Sequence, residues 1–422
     1  MIKSISLDSL LLRLLPIILA ILILLAGYFS FNWTFGNMIA QHADTKELAE
    51  LAIQMAPNDP QSYFSLAYLN EKSFSPEDLP VALASYEKAV SVSPSDYRLW
   101  LSLGKIREQS GDSKGAVAAS RKALELAPNY SQVHWVLGNQ LLRQGNDEEA
   151  YQEIRKAVEG NPTYANPAVN MTWQIFNGDV GIISQKIGDS IPIKAALAPF
   201  LAKQKRFDEA LSFWNSVPDE EKSTKYKTNG QELLAIFMEA KSFRQVLALQ
   251  TQINGGTAEK FNIGAIYNGD FEKNVPPTGA GTFDWQISEG AQPQISLDGS
   301  QKHSGERSLI ILFNSNTGQE NRTVQQTIVV ESGKSYKFEA FYRSDLKALS
   351  GLKWEIVDAA DGKVLTSTNE TVQTMANWTA LNADFTTNST TQAVILRLVK
   401  VPCKQNLCPI SGKVWFDDLS LK

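Results

Sequence analysis

Hydrophobic positions along this chain recur at three different intervals, and each interval marks its own region. Residues 14–31, LLPIILAILILLAGYFSF, carry no charge and are apolar at almost every position. A helix of that composition has no polar face, and at 1.5 Å per residue it spans roughly 27 Å, close to the thickness of a hydrocarbon core. Across residues 45–250 apolar and small residues return three and four positions apart, the spacing of helices that each bury one stripe. Beyond the turn-rich TQINGGTAEK the spacing falls to two. In SYKFEAFYR, Tyr336, Phe338, Ala340 and Tyr342 face one way, and Lys337, Glu339, Phe341 and Arg343 the other, as in a half-buried strand. Similar runs at 307–313, 324–330, 352–358, 393–400 and 413–421 predict an antiparallel sandwich of about eight strands.

The helical region has a longer period as well. Pro94, Pro128 and Pro162 lie 34 residues apart, and Gly104 with Gly138, Ala116 with Ala150 and Ala123 with Ala157 keep the same step. Small residues let two helices approach closely, while Leu103, Ile106 and Leu124 fill the seam and each proline stops a helix. With YRLWLSLGKIREQSGDSKGAVAASRKALELAP and SQVHWVLGNQLLRQGNDEEAYQEIRKAVEGNP, the region resembles the tetratricopeptide repeat, a solenoid of helix pairs. An earlier repeat occupies 60–94, and residues 45–57 read as a lone capping helix. Residues 166–190 read as a divergent unit without a recognisable second helix, and two poorer units follow through Trp214 and Leu249. The resemblance implies a protein partner on the concave face, at Phe64, Tyr68, Leu101, Lys105, Glu108, Trp135, Asn139 and Arg143. A segment of the chain itself, such as the stretch before Thr45, is the competing occupant.

A second resemblance covers residues 266–421. YNGDFE, HSGERSL, VQQTIVVESGKSYKFEAFYR and WFDDLSL, in that order, are similar to the jelly-roll, galactose-binding-like carbohydrate-binding modules. That family implies a structural calcium held by Glu272, the Lys302 backbone carbonyl and Asp417, with Asp418 as the alternative to Asp417. It also implies a glycan partner gripped by exposed aromatic and polar side chains. The loop residue Trp285, and Phe341, Arg343, Lys353, Glu355 and Arg397 on outward strand positions, are the candidates. The cationic ones suit an acidic glycan. Trp378 reads as core in the family's pattern.

Charge settles which partners to leave out. A net charge of -5 with scattered lysines and arginines argues against a nucleic-acid partner. Lys3 and Arg13 precede the apolar run, whereas Asp44 and Glu47 offset His42 and Lys46 after it, so the positive-inside rule keeps the N-terminus cytoplasmic. A cleaved export signal is the alternative, though the run is long for one and no small-x-small site follows it. Cys403 and Cys408, close together in VPCKQNLCPI, point to a disulfide in an exported domain. Zinc would need further ligands, and His42, His134 and His303 lie elsewhere.

Catalytic motifs do not appear, and His134 sits where the repeat wants a large packing residue, so no enzyme is expected and no catalytic residue is assigned. The expected architecture is multidomain α plus β. It comprises a cytoplasmic N-terminus (1–13), a transmembrane signal anchor (14–31), a solenoid of tetratricopeptide helix pairs (45–250), a linker (251–261) and a jelly-roll β-sandwich (262–422). The expected function is that of a non-enzymatic scaffold in a bacterial inner membrane, its bulk periplasmic, serving polysaccharide or envelope assembly. A structural subunit of a larger membrane complex, with the sandwich as a docking domain, is the alternative; a glycoside hydrolase, needing paired carboxylates across a cleft, ranks third.

Overall fold

The computed structural model describes residues 10–73, 75–254, 261–318, 322–371, 373–403 and 407–422. Most of the expected cytoplasmic stub and of the linker therefore lies outside the described residues. The chain divides into two compact units, Met1–Leu197 and Ala198–Lys422.

In the first unit, α1 (Leu10–His42) runs unbroken past the end of the apolar stretch. It is the one helix among the described residues long and apolar enough to cross a membrane. Its last turns do not lead through a linker to the repeats. They pack on α2 (Lys46–Met55), with Gly36 so close that a Cβ there would stand 2.7 Å from Ala56 Cβ and 3.1 Å from the Ala52 carbonyl oxygen. Asn37 donates to Asp59 at 2.9 Å, and the Ser65 hydroxyl donates to the Ala40 carbonyl at 2.5 Å. The expected lone capping helix is thus the second member of a pair whose first member is the end of α1.

Three regular pairs follow: α3 (Pro60–Lys72) with α4 (Leu79–Val92), α5 (Tyr97–Gln109) with α6 (Ser113–Leu126), and α7 (Ser131–Arg143) with α8 (Asp147–Gly160). Local chemistry starts them where the sequence puts an acidic cap. Asp59, Asp96 and Asp112 each accept an N–H from the first turn of the helix they precede. The glycine of each later pair is a contact point: a Cβ on Gly104 would meet Ser120 Oγ at 2.5 Å, and one on Gly138 would meet the Ala150 carbonyl at 3.0 Å. Next come α9 (Ala165–Ile175) and α10 (Val180–Ile187). The region expected to lack a second helix has one, capped by Asp179 and burying Val180, Ile183 and Ile187. Eight residues rich in β-branched side chains are too short and too weak in propensity to announce a helix.

The second unit begins within α11 (Ile191–Lys203) and continues through α12 (Phe207–Asn215), α13 (Asp219–Lys222), α14 (Lys227–Glu239) and α15 (Phe243–Ile253). Arg244 on α15 donates to Val330 O at 3.3 Å and Ser332 Oγ at 3.1 Å, so this helix is tied to the sandwich that follows.

Among the described residues ten antiparallel strands build that sandwich: β1 (Gln286–Ile287), β2 (Gln294–Asp298), β3 (Ser308–Ser315), β4 (Val324–Val329), β5 (Ser335–Ala348), β6 (Leu352–Asp358), β7 (Val364–Ser367), β8 (Thr374–Thr386), β9 (Ala393–Lys400) and β10 (Ile410–Leu421). They form one sheet in the order β1-β4-β9-β6-β7 and another in the order β2-β3-β10-β5-β8. Between the sheets lie Trp285, Trp354, Phe338, Phe416 and Phe271, with Trp354 edge-on to Phe416 at 5.4 Å. Cys403 and Cys408 are joined in a disulfide in the β9–β10 connection.

Candidate functional site

The helical candidates divide by what they touch. Phe64 and Tyr68 on α3 stack in parallel at 6.2 Å, with Tyr68 exposed and Lys72 lying 4.7 Å over its ring. On α7, Asn139 donates to the Trp135 carbonyl, and Arg143 reaches back across to Glu108 on α5 at 2.6 Å. Lys105 is half-buried on the same helix as Glu108. Leu101 is not available to a partner. It is 4% exposed and packs with Ala123 and Val133, because its helical position faces the next repeat and not the groove. The equivalent residue one repeat on, Trp135, is half-buried and stacks on Tyr164 at 5.0 Å for the same reason. The end of α1 lies beside one of the groove candidates: Asn37 and Gln41 line a cavity of about 280 Å³ with Asp59, Phe64 and Arg98.

His134 is a structural residue. Its Nδ1 meets the Glu153 carboxylate and its Nε2 meets the Pro128 carbonyl at 2.8 Å, with both side chains buried.

On the sandwich, the candidates lie on two opposite outer faces. Lys353, Glu355 and Arg397 belong to the first sheet. There the register sets Ser367, Glu355, Arg397, Gln325 and Gln286 side by side across all five strands. Arg397 donates to Glu355 Oε2 at 2.8 and 3.1 Å, Lys353 approaches Glu355 Oε1 at 3.1 Å, and Gln325 donates to Gln286 at 3.3 Å. Burial works to raise the Glu355 pKa, but Arg397 and Lys353 outweigh it and hold the carboxyl below its ordinary range. The result is a polar row at right angles to the strands, with donors and acceptors spaced about 4.8 Å apart by the sheet itself.

Phe341 and Arg343 lie on the outer face of the second sheet instead, Arg343 donating to Gln301. Trp285 lies on neither face. At 2% exposure it is core, its indole N–H donating to the Asn268 carbonyl at 3.0 Å and its ring packed against Phe271 and Trp354, so it cannot stack on a ligand. Trp378, expected in the core, is half-buried on the outside, because Leu381, Ala383 and Phe385 take the inward phase of β8 and leave it the other. That signal was present in the alternation of residues 378–385.

Glu272 and Asp417 are brought to the two sides of one turn, 302–307. Glu272 Oε1 accepts the N–H groups of Glu306 and Arg307 at 2.7 and 3.0 Å, which lower its pKa. Asp417 is fully buried and accepts from His303 and Ser304 at 2.8 and 3.2 Å; burial pushes its pKa up despite those bonds. Asp418 accepts from the Ser304 hydroxyl at 2.8 Å. The donors present are hard oxygens, which fit calcium in kind. Among the described residues no three His, Cys, Asp or Glu side chains gather closely enough to hold a metal by themselves, so a backbone carbonyl such as that of Lys302 would have to contribute.

Comparison with known proteins agrees with both regions. Residues 264–404 match the carbohydrate binding domain family, and residues 77–131 and 109–165 match the tetratricopeptide repeat. Among solved structures, the MamA protein is 16% identical with a TM-score of 0.31, over 48% of this chain and 96% of that one. YrrB, described as a TPR protein with an unusual peptide-binding site, is 18% identical with a TM-score of 0.27, over 50% and 92%. A structure described as CBM4 structure and function is 16% identical with a TM-score of 0.28, over 37% and 98%. No curated protein matches the chain. The chain thus carries tetratricopeptide repeats followed by a carbohydrate-binding-type β-sandwich, both non-catalytic kinds of domain.

Proposed function

We propose that this chain is a non-enzymatic scaffold, anchored in a bacterial inner membrane by α1, that holds a protein partner in its repeat groove and a glycan on its sandwich during polysaccharide or envelope assembly. The polar row on the first sheet carries the glycan part. Its half-buried side chains are held in place by one another, so little conformational entropy remains to be lost when sugar hydroxyls or carboxylates bind. With Lys353 and Arg397 set against Glu355, the row is net positive and favours an acidic glycan.

Membrane anchoring rests on α1: its apolar residues stand exposed, and Tyr28, Phe29, Phe31, Trp33 and Phe35 cluster at the far end of the apolar run, where an interface belt belongs. Tyr68, Lys105, Asn139 and Arg143 are the groove residues left to meet a protein partner once Leu101 and Trp135 are assigned to packing. Acidic charge and scattered lysines leave nucleic acid out of the partners. A structural calcium is proposed at Glu272, the Lys302 carbonyl and Asp417.

Calorimetric titration of the full chain in lipid nanodiscs with hexagalacturonate tests the glycan reading. Arg397→Met is expected to weaken binding at least tenfold while leaving the melting temperature within a few degrees. An unchanged affinity would remove the row from the site.

A further inference from the structure

Where α1 leaves its apolar run, it walls the cavity of about 280 Å³ together with the first turns of two repeat helices. Asn37 and Gln41 come from α1, Asp59 and Phe64 from the start of α3, and Asp96 and Arg98 from the start of α5. Asp59 is 2% exposed, and its partners are all neutral: Asn37 Nδ2 at 2.9 Å, the Gln61 backbone N–H at 3.2 Å and the Ser62 hydroxyl at 3.2 Å. Arg98, the only cation on the cavity wall among the described residues, is turned to Asp96 instead, at 2.6 and 3.0 Å. A buried carboxylate without a counter-charge is costly, so the cavity is short of one positive charge. Those bonds from Arg98 use Nε and Nη2, and its side chain is 71% exposed, which leaves Nη1 open to an anion. The wall therefore suits a ligand that carries both charges.

The depth of the cavity is fixed as well. Asn37 and Gln41 stand two and six residues past Phe35. At 1.5 Å per residue that is roughly 3 and 9 Å along α1. With the aromatic residues through Phe35 at the membrane interface, this is the level of the headgroup layer, about 5–8 Å thick on each side of the hydrocarbon. The start of α3 is held at that level by the Asn37–Asp59 bond, by the bond from Ser65 to the Ala40 carbonyl and by the close approach of Gly36 to Ala56.

From this geometry we infer that the cavity binds the aminoethyl phosphate headgroup of a phospholipid, phosphatidylethanolamine, from the leaflet on the repeat side of α1; the inference rests on reading α1 as a membrane anchor. The ammonium supplies the charge Asp59 lacks, and its three N–H donors serve that carboxylate and the Gln41 amide oxygen. The phosphate meets the guanidinium of Arg98, and Phe64 gives the two carbons between them an apolar wall. Other headgroups fail on one count each. Choline brings the charge without an N–H, glycerol brings no cation, and serine adds a carboxylate that Asp59 and Asp96 repel.

The test titrates the full chain, purified in detergent and stripped of lipid, with dihexanoyl phospholipids carrying ethanolamine, choline or glycerol headgroups, and counts bound lipid by native mass spectrometry. The ethanolamine lipid is expected to bind at least fivefold tighter than the other two. Gln41→Leu and Arg98→Ala, both at exposed positions, are each expected to remove that preference. Asp59→Asn is expected to do the same, and because Asp59 also caps α3, the two exposed-site variants decide the matter if it unfolds. Equal affinity for the three headgroups, or a preference unmoved by Gln41→Leu and Arg98→Ala, would overturn the site. Soluble phosphoethanolamine binding as tightly as the lipid would overturn the membrane source of the ligand. An oligolysine peptide that binds there while no headgroup is preferred would give the cavity to a protein partner. Flotation with pure phosphatidylcholine liposomes separates the two readings. A chain that floats without headgroup preference loses the cavity assignment alone, whereas one that does not float loses the anchor on which it depends.

Discussion

Single residues in this protein are fixed by the company they keep more than by their chemistry. Glu153 shows it: burial works to raise its pKa, while hydrogen bonds from Lys156 and His134 outweigh that and hold it charged. Removing His134 leaves Glu153 Oε2 without its partner while Lys156 keeps Oε1, a buried unsatisfied acceptor that typically costs about 1–3 kcal/mol. His134→Leu is therefore expected to destabilise the repeats by an amount in that range in urea unfolding, with much of it recovered in the double variant with Glu153→Leu. A loss below about 1 kcal/mol would show the pair to be dispensable. At Glu272 and Asp417 the turn is already tied by backbone N–H groups. Calcium bound there is expected to raise the melting temperature of the full chain by several degrees over a chelated sample, and identical melting curves would leave hydrogen bonds as the only tie. The sequence reveals that these residues meet a turn, because the flanking motifs are recognisable, but not that Trp285 is core. A tryptophan in a loop has no alternation to reveal its side, and only the ring contacts to Phe271 and Trp354 decide it.

At the scale of elements, what was legible followed from repetition. Prolines, glycines and alanines at a 34-residue step give the helix pairs, because close helix approach tolerates only small residues at fixed places. Alternation in β5, β6 and β9 gives the strands. The continuation of α1 was hidden: NWTFGNMIAQH mixes polar and apolar residues after the membrane-like run, and its helicity is secured by tertiary contact with α2 and α3. Gly36 is the hinge of that argument. Gly36→Ile places a branched side chain where a Cβ alone already lies 2.7 Å from Ala56. Overpacking of this kind costs about 1–3 kcal/mol, and partial proteolysis is expected to release α1 from the repeats faster than in the parent chain. Equal rates would mean that the first pair contributes no stability.

Taken whole, the chain joins an apolar helix, a repeat groove and a two-faced sandwich in one polypeptide. On the proposed anchoring, the repeats begin within a few residues of Trp33 and Phe35, because α1 enters the first helix pair without a linker, and the proposed partner is one held at the same lipid surface. That picture requires everything after Trp33 to lie on the far side of the membrane from Lys3. Intact spheroplasts expressing the full chain, treated with a membrane-impermeant amine-reactive label and analysed by peptide mapping, test this directly. The account expects labelling at exposed lysines of the repeats and sandwich, such as Lys114 and Lys337, and none at Lys3 until the cells are lysed. Labelling of Lys3 with protection of Lys114 and Lys337 would contradict it.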